Sequence, residues 1–85
     1  MDIRVSHLNI VSGIPNVIAF GTIVLNDEFV VKDIRLIKNS RGDLYIDFPA
    51  RVSNKGHFSC IAYPINNELR KRMTEALFKE YEKRL

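Results

Sequence analysis

The run Val17–Leu25, VIAFGTIVL, sets the terms for the rest of this 85-residue chain. It is the most apolar stretch in the sequence, and its β-branched side chains favour a strand over a helix. A strand that is apolar on both faces has to be covered on both or shared at an interface. Gly21 in its interior marks a bend or the close approach of another element. Two neighbours are suited to pair with it. In Ile3–Val11, Ile3 and Val5 fall on one face and Leu8 and Ile10 on the other, so a bulge near Ser6-His7 is expected, with His7 as a strand residue at the irregularity. After a loop at Ser12–Asn16, the strand Val17–Leu25 leads through a short Asn26-Asp27 turn into Glu28–Lys38. There Phe29, Val31, Asp33, Arg35 and Ile37 alternate with Val30, Lys32, Ile34, Leu36 and Lys38, and neither face is purely apolar.

From Phe29 to Asn66 the chain reads as three short strands separated by two turns that contain glycine. Asn39–Asp43 is a turn, with Gly42 suited to positive φ. Leu44–Phe48 is a short strand that Pro49 ends, because proline brings no donor to the ladder. Ala50–Gly56 reads as a polar loop carrying Arg51 and Lys55. His57–Tyr63 returns as a strand, with Phe58, Cys60 and Ala62 alternating with Ser59, Ile61 and Tyr63. Cys60 is the only cysteine, so no disulfide closes within the chain. Its apolar strand setting reads as a small buried hydrophobe, with a reactive thiol or an intermolecular bridge as the other reading. A lone cysteine also fits a reducing cytosol.

Pro64–Asn67 launches a helix, and either Asn66 or Asn67 is a suitable N-cap. From Glu68 to about Arg84, Leu69, Met73, Leu77 and Tyr81 recur every four residues, and Ala76 and Phe78 widen the stripe. Glu68–Arg72, Glu75–Lys79 and Glu80–Arg84 stand at helical ion-pair spacing. The stripe is expected to cover the sheet. The fold expected is α+β: one domain over residues 1–85, with an antiparallel sheet of about five strands in residues 1–63 and a C-terminal α-helix in residues 64–85. A chain this short buries only roughly 60–65% of its unfolded surface. With no disulfide, and with no standard zinc spacing among His7, His57 and Cys60, oligomerisation is the expected staple, as a homodimer joined through the sheet. No apolar run is long enough to span a membrane, and the N-terminus lacks a secretory pattern.

The inventory speaks against catalysis. Cys60 and His57 lie on opposite strand faces, no third group orients them, and the glycines are too widely separated to cradle a phosphate. The charge pattern speaks for binding. The net charge is +3. Residues 65–85 hold six Lys/Arg against four acids, whereas residues 1–64 hold seven against six. Arg41, Arg51 and Lys55 sit on turns, and Arg70, Lys71 and Arg72 lie near the helix N-terminus, where backbone N–H groups also favour anions. Such a set can neutralise phosphates, and Tyr45, Phe48, Phe58 and Tyr63 are the aromatics available to stack on bases.

Three segments at fixed spacing carry a family resemblance. Phe29–Ile37 (FVVKDIRLI), the Leu44–Pro49 segment closing on an aromatic before proline, and the Pro64-Ile65-Asn66 helix start followed by Arg70, Ala76 and Glu80-Tyr81 resemble the stage V sporulation protein G (SpoVG) family over nearly the whole chain. The resemblance implies a bacterial cytoplasmic regulator without a cofactor. It would bind DNA or RNA with modest sequence preference and act in septation or sporulation as a homodimer whose sheet continues between protomers. It also implies that basic residues carry the binding. Arg51 matches a basic family position and Val52 replaces a second one. Arg70 and Arg72 match basic positions in the first helical turns, and Lys71 is an added cation. The expected nucleic-acid contacts are therefore Arg51, Lys55, Arg70, Lys71 and Arg72, with Arg41 as an addition. The competing reading is a protein-interaction module that docks a partner on a sheet edge or on the strand 17–25.

Overall fold

The computed structural model describes every residue from Met1 to Leu85. Four strands form an antiparallel meander: β1 (Ile3–Ile10), β2 (Val17–Leu25), β3 (Phe29–Lys38) and β4 (Leu44–Asp47), side by side in that order. Two further strands, β5 (Ala50–Val52) and β6 (Phe58–Cys60), pair only with each other as a separate ribbon. A single helix, α1 (Asn67–Lys83), follows. The architecture is α+β, with the strands divided between a four-stranded sheet and a ribbon instead of one sheet of about five. Pro49 is the reason. It ends the β4 ladder, and the chain beyond it turns away and pairs locally. The stretch expected to be a polar loop thus contributes β5, and its carbonyl neighbour Pro49 O accepts a hydrogen bond from Ile61 N at 2.7 Å.

Two bulges resolve the mixed faces seen in the sequence. In β1 the register to β2 shifts between Val5 and His7, which leaves Ser6 as the extra residue. In β3, Ile34 pairs with Gly21 but Val31 pairs with Ile23, so Lys32 and Asp33 together stand opposite Thr22. Asp33, the second of the two bulged residues, adopts the left-handed conformation at φ +59°. Each bulge inverts the alternation beyond it. Val31 before the bulge and Ile34 and Leu36 after it therefore reach the same core, as do Val5 and Leu8 in β1. A bulge was expected in β1 and missed in β3.

The helix packs on that core face through Met73, Leu77 and Phe78. Gly21 permits the approach: a Cβ there would lie 2.6 Å from Leu77 Cδ2 and 3.4 Å from Leu8 Cδ1. The helix start is capped by Asn66, whose Oδ1 accepts from Leu69 N at 3.0 Å. Two helix arginines also seal the outer edge of the sheet. Arg84 Nη1 donates to Leu8 O at 2.9 Å, and Arg72 Nη2 donates to Met1 O at 2.8 Å. An exposed strand edge is a template for unwanted pairing, and Arg84 occupies one carbonyl of it while Arg72 ties down the residue before the strand. Of the three helical ion pairs expected, Glu80–Arg84 closes, at 3.3 Å. No helix is long and apolar enough to cross a membrane.

Candidate functional site

The two hairpin turns that hold Arg41 and Lys55 are built alike. In the β3–β4 turn, Asn39 O accepts from Gly42 N and Asn39 Oδ1 accepts from both Arg41 N and Asp43 N. In the β5–β6 turn, Ser53 O accepts from Gly56 N and Ser53 Oγ accepts from Lys55 N and His57 N. Gly42 and Gly56 follow at φ +86° and +80°, which only glycine adopts without strain. In both, a short polar side chain braces the turn from within, and the basic residue at its third position is left at the tip. Arg41 nonetheless stands apart. The β4 strand separates its turn from the ribbon by roughly 13 Å at the usual rise per residue.

The ribbon itself is cationic. Between Asp47 and Glu68 the chain contains no carboxylate, and it carries Arg51 and Lys55. Arg51 pairs in register with Ser59, while Ala50 pairs with Cys60 and Val52 with Phe58. Alternation therefore puts Arg51 on one face of the ribbon and Phe58 and Cys60 on the other. The second face looks toward the side of the sheet that α1 leaves uncovered, because Ala50, Phe58 and Cys60 line clefts there with Arg35. A row across that side of the sheet runs Asn9–Phe20–Arg35–Asp47. Arg35 Nη2 donates to Asp47 Oδ2 at 2.8 Å, a half-exposed ion pair. The cleft beneath the ribbon encloses about 280 Å³, with Phe20, Asp33 and Arg35 on the sheet side and Ala50, Phe58 and Ile61 on the ribbon side.

The helix cations separate into different settings. The Arg70 guanidinium stacks over the Phe48 ring at 5.2 Å from its centroid. Phe48 immediately precedes Pro49 and the ribbon, so Arg70 is brought to the ribbon's foot. Lys71 is exposed and makes no ion pair. Arg72 is held on Met1 O at the β1 edge, away from that foot. The structure thus gathers Arg51, Lys55 and Arg70 about one ribbon, leaves Lys71 adjacent, and sets Arg72 and Arg41 apart.

Two expectations for this region are corrected. Cys60 is exposed, not buried: β6 belongs to a two-stranded ribbon, and all three of its residues stay open to solvent. Phe48 is 3% exposed and forms part of the core, so its faces are not free to stack on a base, whereas Phe58 is 75% exposed. Arg35 pairs across to its β4 neighbour Asp47, while Asp33 makes no side-chain ion pair. The inverted alternation of Val31 against Ile34 and Leu36 is the signal that would have placed Asp33 on a bulge.

These features define a helix-backed antiparallel meander with a protruding basic ribbon. The chain matches the family model described as SpoVG over residues 1–83. It is 40% identical to a protein of Thermoanaerobacter pseudethanolicus over 82 residues, 96% of this chain and 85% of the relative. A protein of Alkaliphilus oremlandii is 43% identical over 65 residues, 76% of this chain and 69% of that one. One of Acholeplasma laidlawii is 36% identical over 84 residues, 99% of this chain and 85% of that one. All three bear the name "Putative septation protein SpoVG". The chain belongs to the SpoVG family, which is named for septation and not for a catalysed reaction.

Proposed function

We propose that this chain is a regulatory nucleic-acid-binding protein acting in septation or sporulation, and that it works as a homodimer in the cytoplasm. The septation role follows the name its relatives carry. The observation that carries the binding reading is the carboxylate-free ribbon with Arg51 on its outer face, Lys55 at its tip and Arg70 at its foot. Cations on a protruding two-stranded ribbon can follow a phosphate backbone, and contacts of that kind bind with little regard to sequence. Lys71 extends the set, and Arg72 joins it only by leaving Met1 O.

Dimerisation is supported by what the fold leaves open. On the β1 edge Arg84 takes the Leu8 carbonyl and Arg72 takes the Met1 carbonyl just before the strand, whereas no side chain bonds the β4 edge. The rival reading, an interaction module, would have to use a sheet edge or the uncovered face of strand 17–25, because that strand is β2 and both its edges pair with β1 and β3.

The test is fluorescence anisotropy with labelled duplex DNA, single-stranded DNA and RNA at several salt concentrations, alongside sedimentation to read the mass. The expected result is binding whose log K falls with log salt at a slope of roughly −3 to −6 per dimer, reduced in an Arg51→Ala/Lys55→Ala/Arg70→Ala variant of unchanged mass. Binding unaffected in that variant overturns the assignment of the ribbon. A salt-independent interaction favours apolar docking of a protein partner.

A further inference from the structure

We infer that the cleft beneath the β5–β6 ribbon receives an unpaired base of a single-stranded nucleic acid, with Phe58 as the stacking platform. The inference rests on the nucleic-acid reading above and narrows it to a ligand class. Phe58 is 75% exposed and Ile61 67%, both lining the cleft and neither belonging to the core. Phe20 offers a second ring from the sheet side. These surfaces suit the faces of a flat aromatic ligand.

The polar groups in the cleft suit its edges. Arg35 presents donors beside Asp47, and Asp33 presents a carboxylate that makes no side-chain hydrogen bond or ion pair. A nucleobase carries donors and acceptors around its rim and can satisfy both kinds of group. An apolar side chain from a protein partner would instead shut water away from Asp33 and the Arg35–Asp47 pair while giving them no partner, which is costly. The carboxylates Asp33 and Asp47 also repel a phosphate from the cleft itself. Phosphates are better placed outside, against Arg51 on the outer face and Lys55 at the tip. The ribbon thereby sorts a single strand into backbone outside and base inside. A duplex keeps its base faces stacked within the helix and cannot present one to Phe58.

The chain contains no tryptophan, so Phe58→Trp installs a single emitter in the cleft. The probes are an oligothymidylate, an oligouridylate and a duplex of the same length. Saturable quenching by the single strands and not by the duplex, at affinities that anisotropy reproduces, is the expected result. Phe58→Leu keeps apolar bulk and removes the ring. It should weaken single-strand binding about tenfold while duplex affinity changes less than twofold, and Phe58→Tyr should restore it. Equal losses for single strand and duplex in Phe58→Leu overturn the proposal, as does single-strand binding without quenching of Trp. Quenching or a blue shift that follows protein concentration alone shows a second copy in the cleft and overturns it too. If wild-type protein binds the duplex but no single strand, the base site falls and the broader reading stands. If it binds neither, both fall.

Discussion

Gly21 is the position where a single methyl tests the packing of the whole domain. In Gly21→Ala the new Cβ would lie 2.6 Å from Leu77 Cδ2, about 1 Å inside ordinary carbon–carbon contact. Leu77 is fully buried between β2 and the rest of α1, so it cannot swing into solvent to make room. Overpacking of this kind typically costs about 1–3 kcal/mol. Gly21 is not at positive φ, so alanine fits the backbone and recovers about 0.5–1 kcal/mol of glycine's chain entropy. The net expectation is a loss of about 0–2.5 kcal/mol. The whole domain holds only about 4–13 kcal/mol at the usual stability per residue. With a urea m-value of about 1 kcal/mol/M, the midpoint should fall by up to about 2.5 M. The decisive comparison is a double-mutant cycle. Leu77→Ala alone should cost about 2–5 kcal/mol through its cavity. Gly21→Ala added to it places a methyl into vacated space and should be neutral or stabilising, so the coupling between the two should exceed about 1 kcal/mol. A Gly21→Ala protein with a raised midpoint, or two losses that simply add, would refute the helix-on-glycine contact.

Three further outcomes follow from single sites. Asn66→Ala removes the acceptor for Leu69 N and should lower stability by about 1 kcal/mol in urea, with Asn66→Asp close to wild type. Asp33→Gly relieves a left-handed residue that costs roughly 1–2 kcal/mol in an L-amino acid, and should leave stability unchanged or raise it, whereas Asp33→Val should lower it, as read by thermal unfolding. Cys60 should react with a water-soluble disulfide reagent in native protein as fast as in unfolded protein, since it lies open on the ribbon; a protected thiol would place β6 against something that covers it.

Much of the fold was written in local signals. The apolar run of β2, the glycine at its centre, the offset of Ile3 and Val5 against Leu8, an asparagine cap at 66 or 67 and the four-residue stripe of α1 each act through neighbours in sequence, and each appears in the structure, with Asn66 as the cap. The bulge at Lys32-Asp33 is written in a signal of the same kind, since Val31, Ile34 and Leu36 fall out of strict alternation. The functional surface was less readable. Arg51, Lys55 and the Arg70–Arg72 cluster could be found by charge, yet charge does not say which of them share a surface. Arg72 is held by a carbonyl at the other end of the chain, and Arg70 by a ring that sequence assigned to stacking.

Sequence alone determined the meander, the helix that backs it and the basic character of the segment after Pro49, because strand alternation, capping and turn chemistry depend on residues a few positions apart. Tertiary structure decided that β5 and β6 leave the sheet as a ribbon, that Cys60 and Phe58 are exposed while Phe48 is buried, and that a cleft with Arg35, Asp47 and Asp33 opens beneath Phe58. Those outcomes depend on where a proline breaks a ladder and which face the helix leaves bare, and both follow from contacts between segments far apart in the chain.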